Sequence, residues 1–304
     1  MDNNISNFII GGTIKAGTSS VFTCLSANPE ICGSSVKETC FFTHEYKGDA
    51  ERDIACYKKY FSLKNNEKIM LEASPNYLGS KVNITTRIKQ LLPQVKLLFI
   101  LRNPVDRLYS YYNFAMAKLQ LPADLSFESY VDLCKKYSVG EFTPAQAGIA
   151  EKHLRALDMG IYHRQLQNYL DVFPRQQIKI MFFDELKNNQ QTFMNEICDF
   201  IGISQDFYRD YTFHKSNVTF SGRVKFIHRI AMLINRFFET VLRKYPKIKQ
   251  RLVRFYKGVN QRNEGYSKMD KVTRDKLLDY YAEGNLKLKD LLSNQNLPKW
   301  VDIN

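Results

Sequence analysis

The run Val95–Leu101 (VKLLFIL) constrains the fold most, because six of its seven residues are apolar. A short, nearly continuous apolar run is typical of a parallel strand that helices cover on both faces. Shorter runs occur at Phe8–Gly11, Ile69–Ala73 and Ile178–Phe183, and helical patterns separate them. This alternation predicts βαβ units, and therefore an α/β fold with a central, mainly parallel sheet and helices on both faces.

The 304 residues suffice for one large α/β domain. Start and stop signals predict helices at Thr18–Ala27, Ser80–Leu92, Pro104–Lys118, Gly160–Phe173, Gln190–Ile201 and Lys271–Leu292. Beyond residue 212 the pattern is helical only. We therefore predict one domain over residues 1–304, with an α/β core over 7–211 and a helical C-terminal part over 212–304.

The N-terminus and the cysteines indicate a cytoplasmic protein. The first ten residues lack the basic and long apolar regions of a signal peptide, and the longest apolar runs have only five residues. Six cysteines are present without a CxxC pair or a nearby histidine cluster, so zinc is not expected. Without a secretory signal, reduced thiols are the ordinary state.

A glycine-rich turn, Gly11–Ser20 (GGTIKAGTSS), lies between the first predicted strand and helix. Its glycines let the backbone turn, the helix start offers N–H donors, and Lys15 adds a cation. These features suit a phosphate or sulfate group. The turn is not a Walker A loop, because Lys15 precedes Gly17 by two residues instead of following it. An ordinary glycine-rich βα turn is the alternative.

A second candidate site follows Val95–Leu101. Ligands of open α/β sheets bind beyond the carboxyl ends of the strands, and Arg102 stands at such an end. Ser110 follows eight residues later, about two helical turns along. An arginine and a hydroxyl suit a second phosphate group. An ion pair between Arg102 and Asp106 or a neighbour is the alternative.

At these two motifs the sequence resembles the sulfotransferases that use 3'-phosphoadenylyl sulfate (PAPS). The resemblance is closest to the carbohydrate type, which includes heparan sulfate sulfotransferases and bacterial relatives, and it covers roughly residues 7–300. Further matches are Lys37–Phe42 (KETCFF), Leu71–Leu78 (LEASPNYL), Phe182–Leu186 (FFDEL), Asn217 with Ser221–Arg223, and Leu297–Trp300 (LPKW). The resemblance implies a P-loop-like three-layer fold and transfer of a sulfuryl group to a hydroxyl or amine of a glycan or glycan-like acceptor.

The resemblance also implies the roles of individual residues. The 5'-phosphosulfate would be held by the backbone of six consecutive residues, namely Lys15, Ala16, Gly17, Thr18, Ser19 and Ser20. The Lys15 side chain would neutralise the charge on the leaving oxygen. Arg102 and Ser110 would hold the 3'-phosphate, and Ser221, Gly222 and Arg223 would close over the nucleotide. Glu38 occupies the position of the general base. No metal is implied. A solvated acid paired with Lys37 is the alternative for Glu38.

The sequence departs from the heparan type at two positions. Cys40 stands where that group carries histidine, and Ala73 stands where it carries a lysine. These differences argue against a heparan sulfate acceptor, and they leave His44 and Glu72 as further candidates for the base. Four aromatic residues are candidates for stacking on sugar rings, namely Tyr77, Tyr111, Tyr112 and Tyr162.

The net charge of +13 comes largely from residues 223–262, which hold twelve Lys and Arg residues and one acid, Glu239. Apolar residues recur there at helical spacing. Three interpretations fit this segment. It is a solvated helix pair packed on the domain, it lines the acceptor cleft and attracts an anionic or glycolipid acceptor, or it lies on an anionic membrane surface. No nucleic-acid-binding signature accompanies the charge. A P-loop kinase or phosphotransferase, and a basic membrane- or nucleic-acid-associated binding protein, are the rival functions.

Overall fold

The computed structural model describes residues 5–64, 66–213, 268–292 and 296–302. The basic segment at 223–262 and the predicted nucleotide-closing residues Ser221, Gly222 and Arg223 lie outside the described residues.

A five-stranded sheet forms the centre of the described fold, with the order β2-β3-β1-β4-β5 and parallel pairing throughout. The strands are β1 Ser6–Gly12, β2 Ile31–Gly33, β3 Ile69–Ala73, β4 Lys96–Leu101 and β5 Ile178–Phe182. The predicted parallel sheet is confirmed. The sequence did not predict β2, because three residues are too few to show a periodic pattern.

The helices that the structure describes are α1 Thr18–Ser26, α2 Phe41–His44, α3 Ala50–Lys58, α4 Ile84–Leu91, α5 Pro104–Ala117, α6 Phe127–Ser138, α7 Pro144–Ala147, α8 Glu151–Leu154, α9 Tyr162–Leu170, α10 Phe183–Asn188, α11 Gln190–Ile201 and α12 Lys271–Leu291. Short 3-10 turns occupy Asp158–Gly160, Arg175–Gln177 and Asp206–Tyr208. The six helices that the start and stop signals predict are all present, whereas the helical pattern of the basic segment lies outside the described residues.

Two predicted helices are shorter in the structure. The helix expected over Gly160–Phe173 is α9, Tyr162–Leu170. We expected a helix from Ser80, but α4 begins at Ile84. The Asn83 side chain accepts the Thr86 N–H at 3.2 Å and thereby caps the helix. The amphipathic helix α6 was not predicted, although Ser126 caps it and its apolar residues follow helical spacing.

Apolar side chains cover both faces of the sheet, because residues of each strand alternate between them. In β4, Leu97, Phe99 and Leu101 pack on one face, together with α2, α3, α4 and α9. Leu98 and Ile100 pack on the other face, with α1 and α11. The three-layer α/β fold is therefore confirmed.

The described residues divide between two compact units. One unit takes those within Met1–Arg107, Met159–Asn217 and Asp279–Asn304 and contains the whole sheet. The other takes those within Leu108–Asp158 and Val218–Leu278. The organisation of residues 1–304 as one domain stays a prediction.

The second unit has a small core of its own around His153. The Tyr130 hydroxyl donates to the His153 carbonyl at 2.6 Å, and the Tyr111 hydroxyl lies 3.0 Å from His153 Nδ1. Burial lowers the pKa of His153 to about 4, and the charge of Lys152 adds to this shift. The imidazole is therefore neutral at pH 7 and has a structural role.

All six cysteines are free thiols. In the part of the chain that the structure describes, no helix is long and apolar enough to cross a bilayer.

The turn into α1 depends on Gly17, which adopts a left-handed conformation with φ of 83°. A Cβ at this position would lie 2.7 Å from Leu186 Cδ2 and 3.1 Å from two atoms of the Phe183 ring. Gly48 has a similar φ of 91°, but no described atom lies within 4 Å of its Cβ position. A substitution at Gly48 therefore introduces backbone strain alone, whereas a substitution at Gly17 introduces both backbone strain and steric overlap.

We predict that Gly17→Ala lowers the free energy of unfolding more than Gly48→Ala does. Both variants carry the cost of a left-handed alanine, roughly 1–2 kcal/mol. Overlap with the α10 side chains adds about 1 kcal/mol or more to the loss in Gly17→Ala. Urea denaturation of the two variants measures the difference. Equal losses would show that the side chains of Leu186 and Phe183 move aside at no cost.

Candidate active site

The carboxyl ends of three neighbouring strands meet at one edge of the sheet, because β1 pairs in parallel with both β3 and β4. Main-chain hydrogen bonds connect the segments that follow these strands. The Thr13 N–H donates to the Ile100 carbonyl at 2.9 Å, and the Ser74 N–H donates to the Ile10 carbonyl at 3.1 Å. The candidate site is built from the loops at this edge, as is usual for open α/β sheets.

The predicted phosphate loop forms a tight turn into α1. Lys15 is half-buried and has a positive φ of 71°. Ala16 and Thr18 are buried, and Ser19 and Ser20 are half-buried.

The start of α1 presents N–H donors and the positive end of the helix dipole. The N–H groups of Ser20 and Val21 donate to the Gly17 carbonyl. The N–H groups of Thr18 and Ser19 come earlier in the helix, at positions where no intrahelical carbonyl is available to accept them. Such donors and the dipole favour an anion at this end of the helix.

Arg102 lies directly against this loop. Its Nη1 atom donates to the Lys15 carbonyl at 2.9 Å, and its guanidinium lies 4.9 Å from the centre of the Phe183 ring. The Tyr162 hydroxyl donates a hydrogen bond to the Arg102 carbonyl at 2.7 Å. Burial lowers the pKa of Arg102 and the charge of Asp106 opposes the shift, but an arginine remains a cation at neutral pH. The structure thus brings the two sequence motifs together.

The other predicted nucleotide ligand on this motif, Ser110, is half-buried on α5 and belongs to the second compact unit. Its role stays a prediction, as do the roles of Ser221, Gly222 and Arg223.

The proposed base Glu38 lies at the same edge of the sheet, beside the end of β3. Its N–H donates to the Ala73 carbonyl at 2.9 Å, and its backbone has a positive φ of 63°. The carboxylate is 54% exposed and contacts Lys37 Nζ at 2.7 Å. The ion pair with Lys37, which is the alternative interpretation of Glu38, is therefore present. An exposed pair of this kind contributes little stability. The carboxylate is accessible because 54% of the side chain is exposed.

Glu72 does not fit the role of a second base, because it is fully buried. Its Oε1 atom accepts hydrogen bonds from the hydroxyls of Thr39, Ser74 and Tyr77. Burial raises the pKa of Glu72, and these hydroxyl donors oppose the rise. The other candidate, His44, is exposed in the last turn of α2, and its role stays a prediction.

Sequence reasoning missed this hydroxyl cluster around Glu72. The LEASPNYL motif contains Ser74 and Tyr77, but Thr39 lies 33 positions before Glu72. The positive φ angles of Glu38 and Cys40 were equally invisible in the sequence.

Three of the four aromatic residues expected to stack on sugars are core residues. Tyr77, Tyr111 and Tyr162 are buried, so their rings cannot contact an acceptor in this structure. Tyr112 is half-buried, and its hydroxyl donates to the Leu125 carbonyl at 2.6 Å.

Cys40 and Ala73, the two residues that differ from the heparan type, lie in different surroundings. Cys40 is half-buried with its Sγ 3.7 Å from Asn76 Oδ1, and burial raises the pKa of its thiol. The Ala73 side chain is fully buried in the core on the α1 face. Among the residues that the structure describes, no three His, Cys, Asp or Glu side chains cluster closely enough to hold a metal ion.

Comparisons with known proteins identify the family of this chain. Human bifunctional heparan sulfate N-deacetylase/N-sulfotransferase 3 is 25% identical over 303 residues, which is 98% of this chain and 31% of the human protein. Membrane-associated sulfotransferase kil1 of Dictyostelium discoideum is 34% identical over 131 residues, which is 42% of this chain and 27% of that protein. The chain thus spans about a third of the length of the curated relatives it matches, 31% in the human case.

A sulfotransferase from Alicyclobacillus acidocaldarius shares the fold, with a TM-score of 0.64 and 24% identity over 97% of this chain and 98% of that one. The model of the Sulfotransferase domain family matches residues 6–222, which include the loop at Lys15, Glu38 and Arg102. Because this match covers most of the sequence, the chain belongs to the sulfotransferase domain family.

Proposed function

We propose that this protein transfers the sulfuryl group of PAPS to a hydroxyl or amine of a glycan acceptor and releases adenosine 3',5'-bisphosphate (PAP). One observation carries the proposal: the Lys15–Ser20 loop and Arg102 are in direct contact, at 2.9 Å from Arg102 Nη1 to the Lys15 carbonyl. The Arg102 guanidinium therefore lies against the loop that carries Lys15 and leads into the N-terminus of α1. This arrangement suits a nucleotide that carries charged groups at both its 5' and 3' positions.

The residues at the strand ends fit PAPS as the donor. The N–H groups at the start of α1 and Lys15 would hold the 5'-phosphosulfate, and the guanidinium of Arg102 would hold the 3'-phosphate. Arginine has five N–H donors, so the bond to the Lys15 carbonyl leaves others for a phosphate. When bound, PAPS supplies a sulfuryl group on a phosphate leaving group.

Glu38 acts on the acceptor as general base, and Lys15 acts on the leaving group. The Glu38 carboxylate takes the proton from the acceptor hydroxyl or amine as the acceptor atom forms its bond to sulfur. The bond between sulfur and the bridging oxygen breaks, and its electron pair stays on the 5'-phosphate of PAP. Lys15 neutralises the charge that develops on that oxygen. The exposure of the Glu38 carboxylate supports this role, because an acceptor has to reach it.

The acceptor is proposed to be a glycan or a glycolipid-like molecule. Human and mouse relatives of this chain are named heparan sulfate N-sulfotransferases, which supports a glycan. Cys40 and Ala73 replace the histidine and lysine that the resemblance would lead one to expect. This difference favours a glycan other than heparan sulfate.

The basic segment at 223–262 is proposed to attract an anionic acceptor or a membrane surface, since it holds twelve of the basic residues. A cytoplasmic location is also proposed. The six free thiols support it, because reducing compartments keep cysteines unpaired.

Replacement of Lys15 tests the proposed chemistry. We predict that Lys15→Ala lowers sulfuryl transfer by about 100-fold or more, because one electrostatic contact to the leaving oxygen is lost. Transfer of labelled sulfate from PAPS to a panel of polysaccharides, oligosaccharides and lipids, followed by mass spectrometry, measures the rate and identifies the acceptor. Lys47→Ala, on an exposed residue, is the matched control. Full activity of Lys15→Ala would contradict the role given to Lys15.

Replacement of Arg102 tests the nucleotide site. We predict that Arg102→Lys weakens PAP binding by about tenfold and that Arg102→Ala weakens it further, because lysine keeps the charge but loses the planar fork. Arg209→Ala, on a side chain that is 75% exposed, should leave binding unchanged.

Calorimetric titration with PAP in the absence of Mg²⁺ measures these affinities. A wild-type protein that binds Mg-ATP but not PAP would favour the rival phosphotransferase.

A further inference from the structure

The fully buried carboxylate of Glu72 gathers three hydroxyl groups on one oxygen. Ser74 Oγ and the Tyr77 hydroxyl each lie 2.7 Å from Glu72 Oε1, and Thr39 Oγ1 donates to the same atom. Glu72 Oε1 is the acceptor in all three hydrogen bonds, so the three hydroxyl protons point towards it. The lone pairs of the three hydroxyl oxygens remain available for other donors.

Each of these hydroxyls accepts one backbone N–H from the start of α2. Cys40 N–H donates to Ser74 Oγ at 3.1 Å, Phe41 N–H donates to Thr39 Oγ1 at 3.2 Å, and Phe42 N–H donates to the Tyr77 hydroxyl at 3.2 Å. Three consecutive N–H groups are thus connected through three hydroxyls to one buried carboxylate. These are donors that a helix start leaves without intrahelical acceptors.

This arrangement holds a segment whose backbone is strained. Glu38 and Cys40 both adopt left-handed conformations, with φ of 63° and 52°. Non-glycine residues keep such conformations only where surrounding contacts enforce them. The Glu38 N–H bond to the Ala73 carbonyl fixes one side of the segment. On the other side, Arg87 Nη1 donates to the Phe42 carbonyl at 2.7 Å.

We propose that Glu72 is a positioning residue, which acts through the hydroxyls of Thr39, Ser74 and Tyr77 to hold residues 38–42 so that the Glu38 carboxylate faces the acceptor. The inference rests on the proposed function, because it assigns Glu38 as the base. Glu72 touches neither substrate, since it is fully buried. The two acidic residues therefore have different roles: one exchanges a proton, and the other fixes where that exchange takes place.

The nucleotide side of the site is held by other contacts. The Thr13 N–H binds the Ile100 carbonyl, and Arg102 binds the Lys15 carbonyl. None of these bonds passes through Glu72. Disturbing Glu72 should therefore lower turnover of the acceptor while PAP affinity stays within about twofold of the wild type. A general loss of folding would lower both.

Two variants and two matched controls test the proposal. Glu72→Gln replaces the carboxylate by an amide, and Tyr77→Phe removes one hydroxyl with little change in volume. Asp53→Asn is the control for the first, because Asp53 is equally buried but accepts the N–H groups of Lys47 and Gly48 instead. Tyr208→Phe is the control for the second. Tyr208 is also fully buried, but its hydroxyl donates to the Cys24 carbonyl at 3.3 Å.

The first readout is amide hydrogen exchange at residues 40–42, which does not depend on activity. We expect faster exchange in Glu72→Gln at all three amides and in Tyr77→Phe at Phe42, with no change there in Asp53→Asn or Tyr208→Phe. Unchanged exchange in Glu72→Gln and Tyr77→Phe would overturn the proposal.

The second readout is kcat, measured with PAP affinity alongside. We expect Glu72→Gln to lower kcat by about 10- to 100-fold, because a small misplacement of a catalytic group has effects of this size. Combined with Glu38→Gln, it should cause little further loss, since both changes affect the same proton transfer. Fully additive losses, or an equal loss of PAP affinity, would overturn the positioning role. If the wild type transfers no sulfuryl group, the proposed function fails, and the exchange data alone decide whether Glu72 holds the segment.

Discussion

The parallel pairing of β1 with β3 on one side and β4 on the other is the interaction on which the candidate site depends. It places the ends of three strands side by side, and each is followed by a segment of the candidate site. Hydrogen bonds from Thr13 to Ile100 and from Ser74 to Ile10 then tie these segments together. A buried main-chain group without a partner costs free energy, so these bonds hold the three segments next to one another.

Two glutamates at the end of β3 have different properties because their surroundings differ. Glu38 has an exposed carboxylate next to Lys37, whereas Glu72 is fully buried among hydroxyls. Burial disfavours a charge unless donors compensate it, and three hydroxyls provide that compensation for Glu72. The proposed base and the proposed positioning residue are thus distinguished by burial and not by residue type.

Much of the fold could be predicted from local sequence patterns. The strand at Val95–Leu101 and the helix that ends before Gly202 match β4 and α11 within one residue. Their patterns lie within single segments, where neighbouring residues decide the structure. The strand β2 and the one-turn helix α2 were not predicted, because elements this short are stable only through contacts with distant parts of the chain.

The same division applies to the site. The sequence by itself determined that a glycine-rich turn with Lys15 opens a helix and that Arg102 follows a buried strand, because both features depend on adjacent residues. Only the tertiary structure decided that Arg102 reaches the Lys15 carbonyl, 87 positions away, and that Thr39 reaches Glu72 across 33. It also decided that Tyr77 and Tyr162 are core residues. Burial and hydrogen bonding between distant residues follow from how the strands pair and the helices pack, and no local pattern encodes them.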